Sequence, residues 1–275
     1  MPAPQTTSLL IDFGESEHLA GNRTRRGVTL APERSPEPIL HKQPLLLNRL
    51  QFQMLLKDFA APEPQARVAI IRGPKGSGKS YSWLFVEQAA RDAAAQAVRI
   101  DLSDGSEGPV QLVRELSRAM QLQIDDFSYR TSVASPRLIK MLHDRFMSRV
   151  LETKATWWIV VDGCDAVEQF TFEFLVLLAR SLVDGSVPNL RLILLGLERD
   201  LPSEIAASIF MEELSPLSHA DVADYLARQG LSGAQLDEIM KTVLGELTGP
   251  LVGENLRWLN NALDELTHQL GLEAS

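Results

Sequence analysis

Arg67-Val-Ala-Ile-Ile-Arg72, followed directly by Gly73-Pro-Lys-Gly-Ser-Gly78-Lys79-Ser80, is the stretch on which the fold turns. The first segment reads as a short buried strand, and the second fits G-x-x-x-x-G-K-[ST] and leads into a helix beginning near Lys79. Glycines at this spacing let the backbone curl so that successive N–H groups point inward at phosphate oxygens, and the following helix adds the positive end of its dipole. In this pattern Lys79 should bridge the β- and γ-phosphates, and the Ser80 hydroxyl should ligate Mg²⁺. Gly73, Pro74, Lys75, Gly76, Ser77, Gly78, Lys79, Ser80 and Tyr81 are therefore the candidate nucleotide-contacting residues, with solvation competing for Lys75.

Downstream, the apolar period alternates between two and 3.6. Strands are expected at Ala97–Leu102, Trp157–Val161 and Leu190–Leu195, with helices over about Val110–Met120, Ser135–Leu151 and Val167–Leu182. Ser135 is a plausible N-cap that puts Pro136 at the first helical position. Near-continuous apolar strands separated by helices imply a parallel sheet covered on both faces, a three-layer α/β domain. A helix before it, with Leu47, Leu50, Met54 and Phe59 near one face, starts at about Leu45.

Trp157-Trp-Ile-Val-Val-Asp162-Gly163-Cys164-Asp165 supplies the other half of a phosphate site, a buried strand ending in a carboxylate. Asp162 is the expected metal-side acid. Asp165 either orients or activates the attacking water or is a surface turn residue, and Glu168 is a weaker substitute. Cys164 finds no histidine partner by spacing and reads as a small packing group.

After about Leu214 helices take over. Ser218 with Asp221 and Ser232 with Gln235 give two N-terminal capping signatures, and Leu236, Ile239, Met240, Val243, Leu244 and Leu247 form an apolar stripe. Gly249-Pro250 breaks the chain before a last stripe from Val252 to Leu270. The expected organisation is a tail over 1–40, an α/β domain over 41–214 and a helical domain over 215–275. The tail carries five prolines and the basic cluster Asn22-Arg23-Thr24-Arg25-Arg26.

Composition narrows the function. Lys plus Arg number 27 against 36 Asp plus Glu, a net charge of −9, which disfavours a chain-wide nucleic-acid or anionic-membrane surface. No apolar run approaches the ~18 residues a bilayer crossing needs. One cysteine can form neither an internal bridge nor a zinc site, and the first residues show no export or transit pattern, so the expected location is the cytoplasm.

The motif order from about Leu45 onward resembles the AAA+ ATPases and their relatives, the signal-transduction ATPases with numerous domains, which include the NACHT and NB-ARC groups. The resemblance implies a three-layer P-loop NTPase with a parallel sheet, followed by a small all-helical lid. Asp162-Gly163-Cys164-Asp165 looks like the NACHT form of the Walker B strand end, whose second acid follows three residues after the first. Leu190–Asp200 looks like the sensor 1 strand, with Gly196-Leu197-Glu198 in place of the polar Asn or Thr, leaving Arg199 as the nearest candidate for sensing γ-phosphate. Gly253-Glu-Asn-Leu-Arg257 resembles the sensor 2 helix, and Gly249-Pro250-Leu251 resembles the proline motif that touches the adenine end. Around Ala206-Ala207-Ser208-Ile209 there is no arginine-finger pattern, so the resemblance does not carry over ring assembly with shared sites, though other oligomerisation stays open.

The resemblance implies ATP rather than GTP, with Mg²⁺, slow hydrolysis and a switch acting on a separate effector or sensor protein. Two other readings stand beside it. One is a nucleotide-loaded binding module with little hydrolysis. The other is a DNA-associated AAA+ ATPase, which the net negative charge disfavours.

Overall fold

The computed structural model describes residues 49–103, 108–123, 135–228, 231–245, 251, 259 and 261–263. All of them belong to one compact unit, Gln43–Ser275. The expected tail over 1–40, and Leu45 and Leu47 before the first helix, lie outside the described residues.

The elements follow in the order α1 (Leu50–Ala60), β1 (Val68–Arg72), α2 (Ser82–Asp92), β2 (Gln96–Asp101), α3 (Pro109–Ala119), α4 (Pro136–Glu152) and β3 (Trp157–Asp162), then α5 (Gln169–Val183), β4 (Leu190–Leu195), α6 (Ser203–Ala206), β5 (Phe210–Glu213), α7 (His219–Arg228) and α8 (Gly233–Gly245). The five strands form one sheet in the order β2-β3-β4-β1-β5, and every neighbouring pair is parallel. β4 thus lies between β1 and β3, the two strands that carry the phosphate loop and the acidic turn.

Period-two alternation within fully buried strands produces the three layers. Val68, Ile70, Ile159, Val161, Leu192 and Leu194 face α3, α4 and α5. Ala69, Ile71, Trp158, Val160, Ile193 and Leu195 face α1 and α2. The edge strand β2 alternates instead, with Val98 and Ile100 buried and Arg99 and Asp101 turned outward.

Several local readings reappear in the structure. The Ser135 hydroxyl accepts from Leu138 N at 3.3 Å with Pro136 at the start of α4. Ser218 and Asp221 form a reciprocal capping box, in which Ser218 N donates to Asp221 Oδ2 at 2.8 Å and Asp221 N donates to Ser218 Oγ at 3.3 Å.

Three expectations need correction. Met54 is exposed, and the buried face of α1 is formed by Phe52, Leu55, Leu56 and Phe59. Lys79 opens a 3₁₀ turn, Lys79–Tyr81, and the α-helix proper starts at Ser82, because the tight curl of the loop ends in a left-handed Gly78. The strand Phe210–Glu213 was not anticipated, since two of its four residues are acidic and it pairs on one side only, with β1.

Candidate active site at the carboxyl edge of the sheet

Strand register brings the motifs together. β1 runs beside β4, with Ile71 opposite Leu195, and β4 runs beside β3, with Leu194 opposite Val161. The residues that follow these strands, Gly73 onward, Gly196 and Gly163 onward, therefore emerge at one edge.

The phosphate loop is built from glycines whose backbone conformation disfavours a side chain. Gly73, Gly76 and Gly78 all have positive φ, at 139°, 83° and 90°. A Cβ on Gly73 would lie 2.6 Å from Leu214 O, so the loop packs against the chain leaving β5 with no room for a side chain. Ser77 N donates to Pro74 O at 3.2 Å and closes the turn, while the buried Ser77 Oγ has no partner among the described residues. Lys79 Nζ donates to Gly73 O at 2.6 Å and Pro74 O at 3.0 Å, curling the ammonium over the loop. Pro74, Lys75 and Ser80 are exposed, and Tyr81 packs edge-on to Phe85 with ring centroids 5.4 Å apart.

Gly196 is the meeting point. Its φ is +83°, and a Cβ there would touch Lys79 Cε at 3.4 Å and Asp165 N at 3.6 Å. The end of β4 therefore lies against both the lysine stem and the second acid. Asp165 itself is exposed, in a short 3₁₀ turn over Cys164–Ala166.

Asp162 is only 4% exposed and is held from the other side. Arg99 Nη2 on β2 donates to its Oδ2 at 2.5 Å, and Gly163 N donates to its Oδ1 at 2.9 Å. Arg99 also reaches Asp101 at 3.6 Å, whose Oδ1 accepts from Ser103 N and Oγ. These Ser103 bonds are the main reason the Asp101 carboxyl is held below its ordinary range. Between the two acids of the turn, the Cys164 thiol is buried and donates to Val161 O at 3.3 Å. Burial, then the charges of Asp162 and Asp165, push its ionisation upward, so it is no nucleophile at neutral pH.

Arg199, the sensor candidate, is turned toward α5. Its Nη1 donates to Gln169 Oε1 at 3.1 Å and its guanidinium lies 5.3 Å from the Phe172 ring centre. Pro250 and Arg257 lie outside the described residues.

Besides Arg99, two more arginines not singled out from sequence shape the surroundings. Arg72, the last residue of β1, donates to Leu197 O at 2.9 Å and to Arg199 O and Asp200 Oδ1 at 3.1 Å each, pinning the loop after β4. Arg49, just before α1, is buried and grips Glu212 of β5 through Nε at 3.2 Å and Nη2 at 2.8 Å. Both of its terminal nitrogens also donate to Ser82 Oγ at 3.0 Å, at the start of α2. Burial lowers the Arg49 pKa, and the charge of Glu212 opposes that shift.

The oxygen donors near the loop, Ser80, Asp162 and Asp165, suit a hard cation such as Mg²⁺. Among the described residues no group of three or more His, Cys, Asp or Glu side chains could hold a metal. Such an ion would therefore depend on phosphate oxygens for much of its shell, as Mg²⁺ in nucleotide sites does.

A parallel sheet with a glycine-rich phosphate loop after its β1 strand and helices on both faces is the P-loop NTPase α/β fold. Residues 63–203, just over half of the chain, match the AAA domain family, and the chain belongs to that family. Solved structures with a similar fold include the Orc1 protein of Aeropyrum pernix in complex with DNA, at 14% identity and a TM-score of 0.50, over 83% of this chain and 62% of that one. Another is the Drosophila ORC bound to DNA, at 14% identity and a TM-score of 0.50, over 90% of this chain and 66% of that one. The chain thus spans less than two thirds of the length of these structures. No curated protein matches it. Among the described residues no helix is long and apolar enough to cross a membrane.

Proposed function

We propose that this chain binds ATP at the loop Gly73–Ser80 and hydrolyses it with Mg²⁺, working as a switch whose nucleotide state controls a partner. The observation that carries this reading is the convergence at Gly196 of the Lys79 stem and Asp165, which brings the cation of the phosphate loop and an exposed acid to one point.

In this reading Lys79 exchanges its bonds to Gly73 O and Pro74 O for phosphate oxygens, and the loop N–H groups close around the same anion. Asp165 positions a water for in-line attack on the γ-phosphorus. The new P–O bond forms as the bond to the β-phosphate oxygen breaks, and the water's proton leaves toward Asp165 or solvent. Ser80 and Asp162 would be the protein-side donors for Mg²⁺, which would neutralise phosphate charge when bound. Arg199 would have to leave Gln169 and Phe172 to reach a phosphate. The proposed lid, residues 215–275, would close over the base through Pro250 and Arg257. The narrower likeness to the NACHT and NB-ARC groups rests on the spacing of Asp162 and Asp165.

Lys79→Ala is expected to weaken nucleotide binding strongly, whereas Asp165→Ala should keep binding and lose hydrolysis. Equal ATPase rates in the parent and both variants would reject these roles. Competition with GTP decides the base preference.

Two observations favour alternatives. Glycine at 196, where a polar sensor side chain is expected, favours a nucleotide-loaded binding module that scarcely turns over. Multiple-turnover assays with and without partners separate that module from the switch. The Orc1 and ORC structures contain DNA, which favours a DNA-associated role for this chain. Salt-dependent DNA binding that is lost on replacing Arg23, Arg25 and Arg26 would establish that role.

A further inference from the structure

The segment that follows β4 starts at Gly196, the meeting point of the candidate site, and runs without helix or strand as far as Pro202. Residues 197–201 make no backbone–backbone hydrogen bond among the described residues. Leu197 anchors the segment in the core, whereas Glu198, Arg199 and Asp200 are exposed. Carbonyls that lack a ladder partner need another donor or water. Two of them, Leu197 O and Arg199 O, share one side chain, since Arg72 donates to the first from Nε at 2.9 Å and to the second from Nη2 at 3.1 Å. Both nitrogens belong to a single planar fork, which fixes the two carbonyls relative to each other.

Arg72 is itself fastened to the frame of the site. Its own carbonyl accepts from Leu214 N at 2.9 Å, and the carbonyl of Ile71 before it accepts from Gly196 N at 2.8 Å. The residue after it, Gly73, supplies the carbonyl to which Lys79 Nζ donates at 2.6 Å. The guanidinium thus reaches from the root of the phosphate loop to the segment whose first residue lies against both the lysine stem and the second acid. A Cβ at position 196 would stand 3.4 Å from Lys79 Cε, 3.6 Å from Asp165 N and 3.8 Å from Asp165 Cβ. The remaining bond of Arg72, to Asp200 Oδ1 at 3.1 Å, adds little, because the Asp200 side chain is 91% exposed and solvent screens such a pair.

We propose that Arg72 is a positioning residue for the hydrolysis step, an inference that rests on the ATP reading given above. In this role Arg72 touches no phosphate. It holds residues 196–200 as the wall against which the Lys79 stem and the turn bearing Asp165 are set. Loosening that wall differs from filling it. A side chain at position 196 pushes the lysine aside, whereas a slack wall leaves the loop N–H groups and the ammonium able to take a phosphate. What it spreads is the set of positions from which Asp165 orients water. Binding then survives and turnover falls.

The test compares the full chain with Arg72→Lys, Arg72→Met and Asp200→Asn. Nucleotide affinity is read with a fluorescent ATP analogue, hydrolysis by single turnover of ATP, and the order of the segment by trypsin cleavage after Arg199 without nucleotide. Arg72→Lys keeps the charge, loses the fork and should fold as the parent does. Its hydrolysis rate should fall about tenfold to hundredfold, the cost of a misplaced catalytic group. Its affinity should stay within about threefold of the parent, the split that separates positioning from ground-state binding. Arg72→Met should show the same split. Cleavage after Arg199 should speed up about fivefold or more in both, as the segment opens more readily. Asp200→Asn removes only the exposed acceptor and should match the parent within about twofold in affinity and hydrolysis.

Parent-like hydrolysis in Arg72→Lys would overturn the inference and leave the nucleotide site standing. So would affinity that falls in proportion to turnover, or cleavage after Arg199 that is unchanged in both Arg72 variants. A parent chain that takes up no ATP would instead remove the reading on which the inference rests.

Discussion

Arg99 on β2 and Asp162 at the end of β3 form a charge-assisted hydrogen bond of 2.5 Å, and together with Gly163 N this occupies both oxygens of the acid expected to serve the metal. A guanidinium at this distance competes with a divalent cation for the same carboxylate. Arg99→Ala should therefore lower the Mg²⁺ concentration needed for half-maximal nucleotide binding several-fold. It should also cost about 1–3 kcal/mol without ligand, because the buried Asp162 loses a charged partner. Denaturation with and without Mg²⁺-ATP, alongside a magnesium titration of nucleotide binding, checks both. An unchanged magnesium dependence would show that the ion takes its protein oxygens elsewhere.

Gly196 tests the convergence itself. At φ +83° an added Cβ is strained and also contacts the Lys79 stem at 3.4 Å. Gly196→Ala should destabilise the fold by about 1–2 kcal/mol and weaken nucleotide binding through displacement of Lys79. Asparagine tolerates the left-handed region better. Gly196→Asn should therefore fold more stably than the alanine variant while sharing its binding defect.

The bidentate pair of Arg49 and Glu212 ties the start of α1 to β5, and its bonds to Ser82 tie it to α2. Arg49→Met strands a buried carboxylate and should cost about 3–5 kcal/mol. The double variant Arg49→Met with Glu212→Leu removes both charges and should recover a large part of that loss. Urea denaturation of the two single variants and the double variant measures the coupling. Additive losses would mean that the pair contributes nothing as a pair.

Legibility in the sequence followed burial. β1, β3 and, apart from the buried Arg191, β4 are apolar on both faces and so are legible as strands, and the phosphate loop is legible through glycines that its backbone geometry requires. β2 was less transparent. Val98 and Ile100 alternate with Arg99 and Asp101, a pattern that marks an edge strand with one polar side, and this alternation was the available clue that Arg99 stands beside Asp162. β5 left no comparable signal, because Glu212 is buried only by virtue of Arg49, 163 positions earlier. Such long-range pairings arise from the fold and are not written in any local window. The same holds for Arg72, whose partners on the loop after β4 become neighbours only through the pairing of β1 with β4.

Cys164 makes stability depend on alkaline pH in a predictable direction. Its thiol is 1% exposed, donates to Val161 O, and sits between Asp162 and Asp165, so burial and two like charges oppose the thiolate. The folded pKa is raised above the unfolded value of about 8.5. Below that pH both states keep the proton and nothing changes. Above it the unfolded chain ionises while the folded chain does not, so the native state binds more protons and stability falls as pH rises. The slope from this group approaches about 1.4 kcal/mol per pH unit, giving about 2 kcal/mol between pH 8 and pH 10. Other groups titrating in that window act on the parent and on Cys164→Ala alike. The stability difference between the two, measured by urea denaturation, should therefore shift toward the alanine variant by that amount as pH rises. A constant difference would show that the thiol ionises as easily in the folded chain as in the unfolded one, and that the turn between the two acids is open to water.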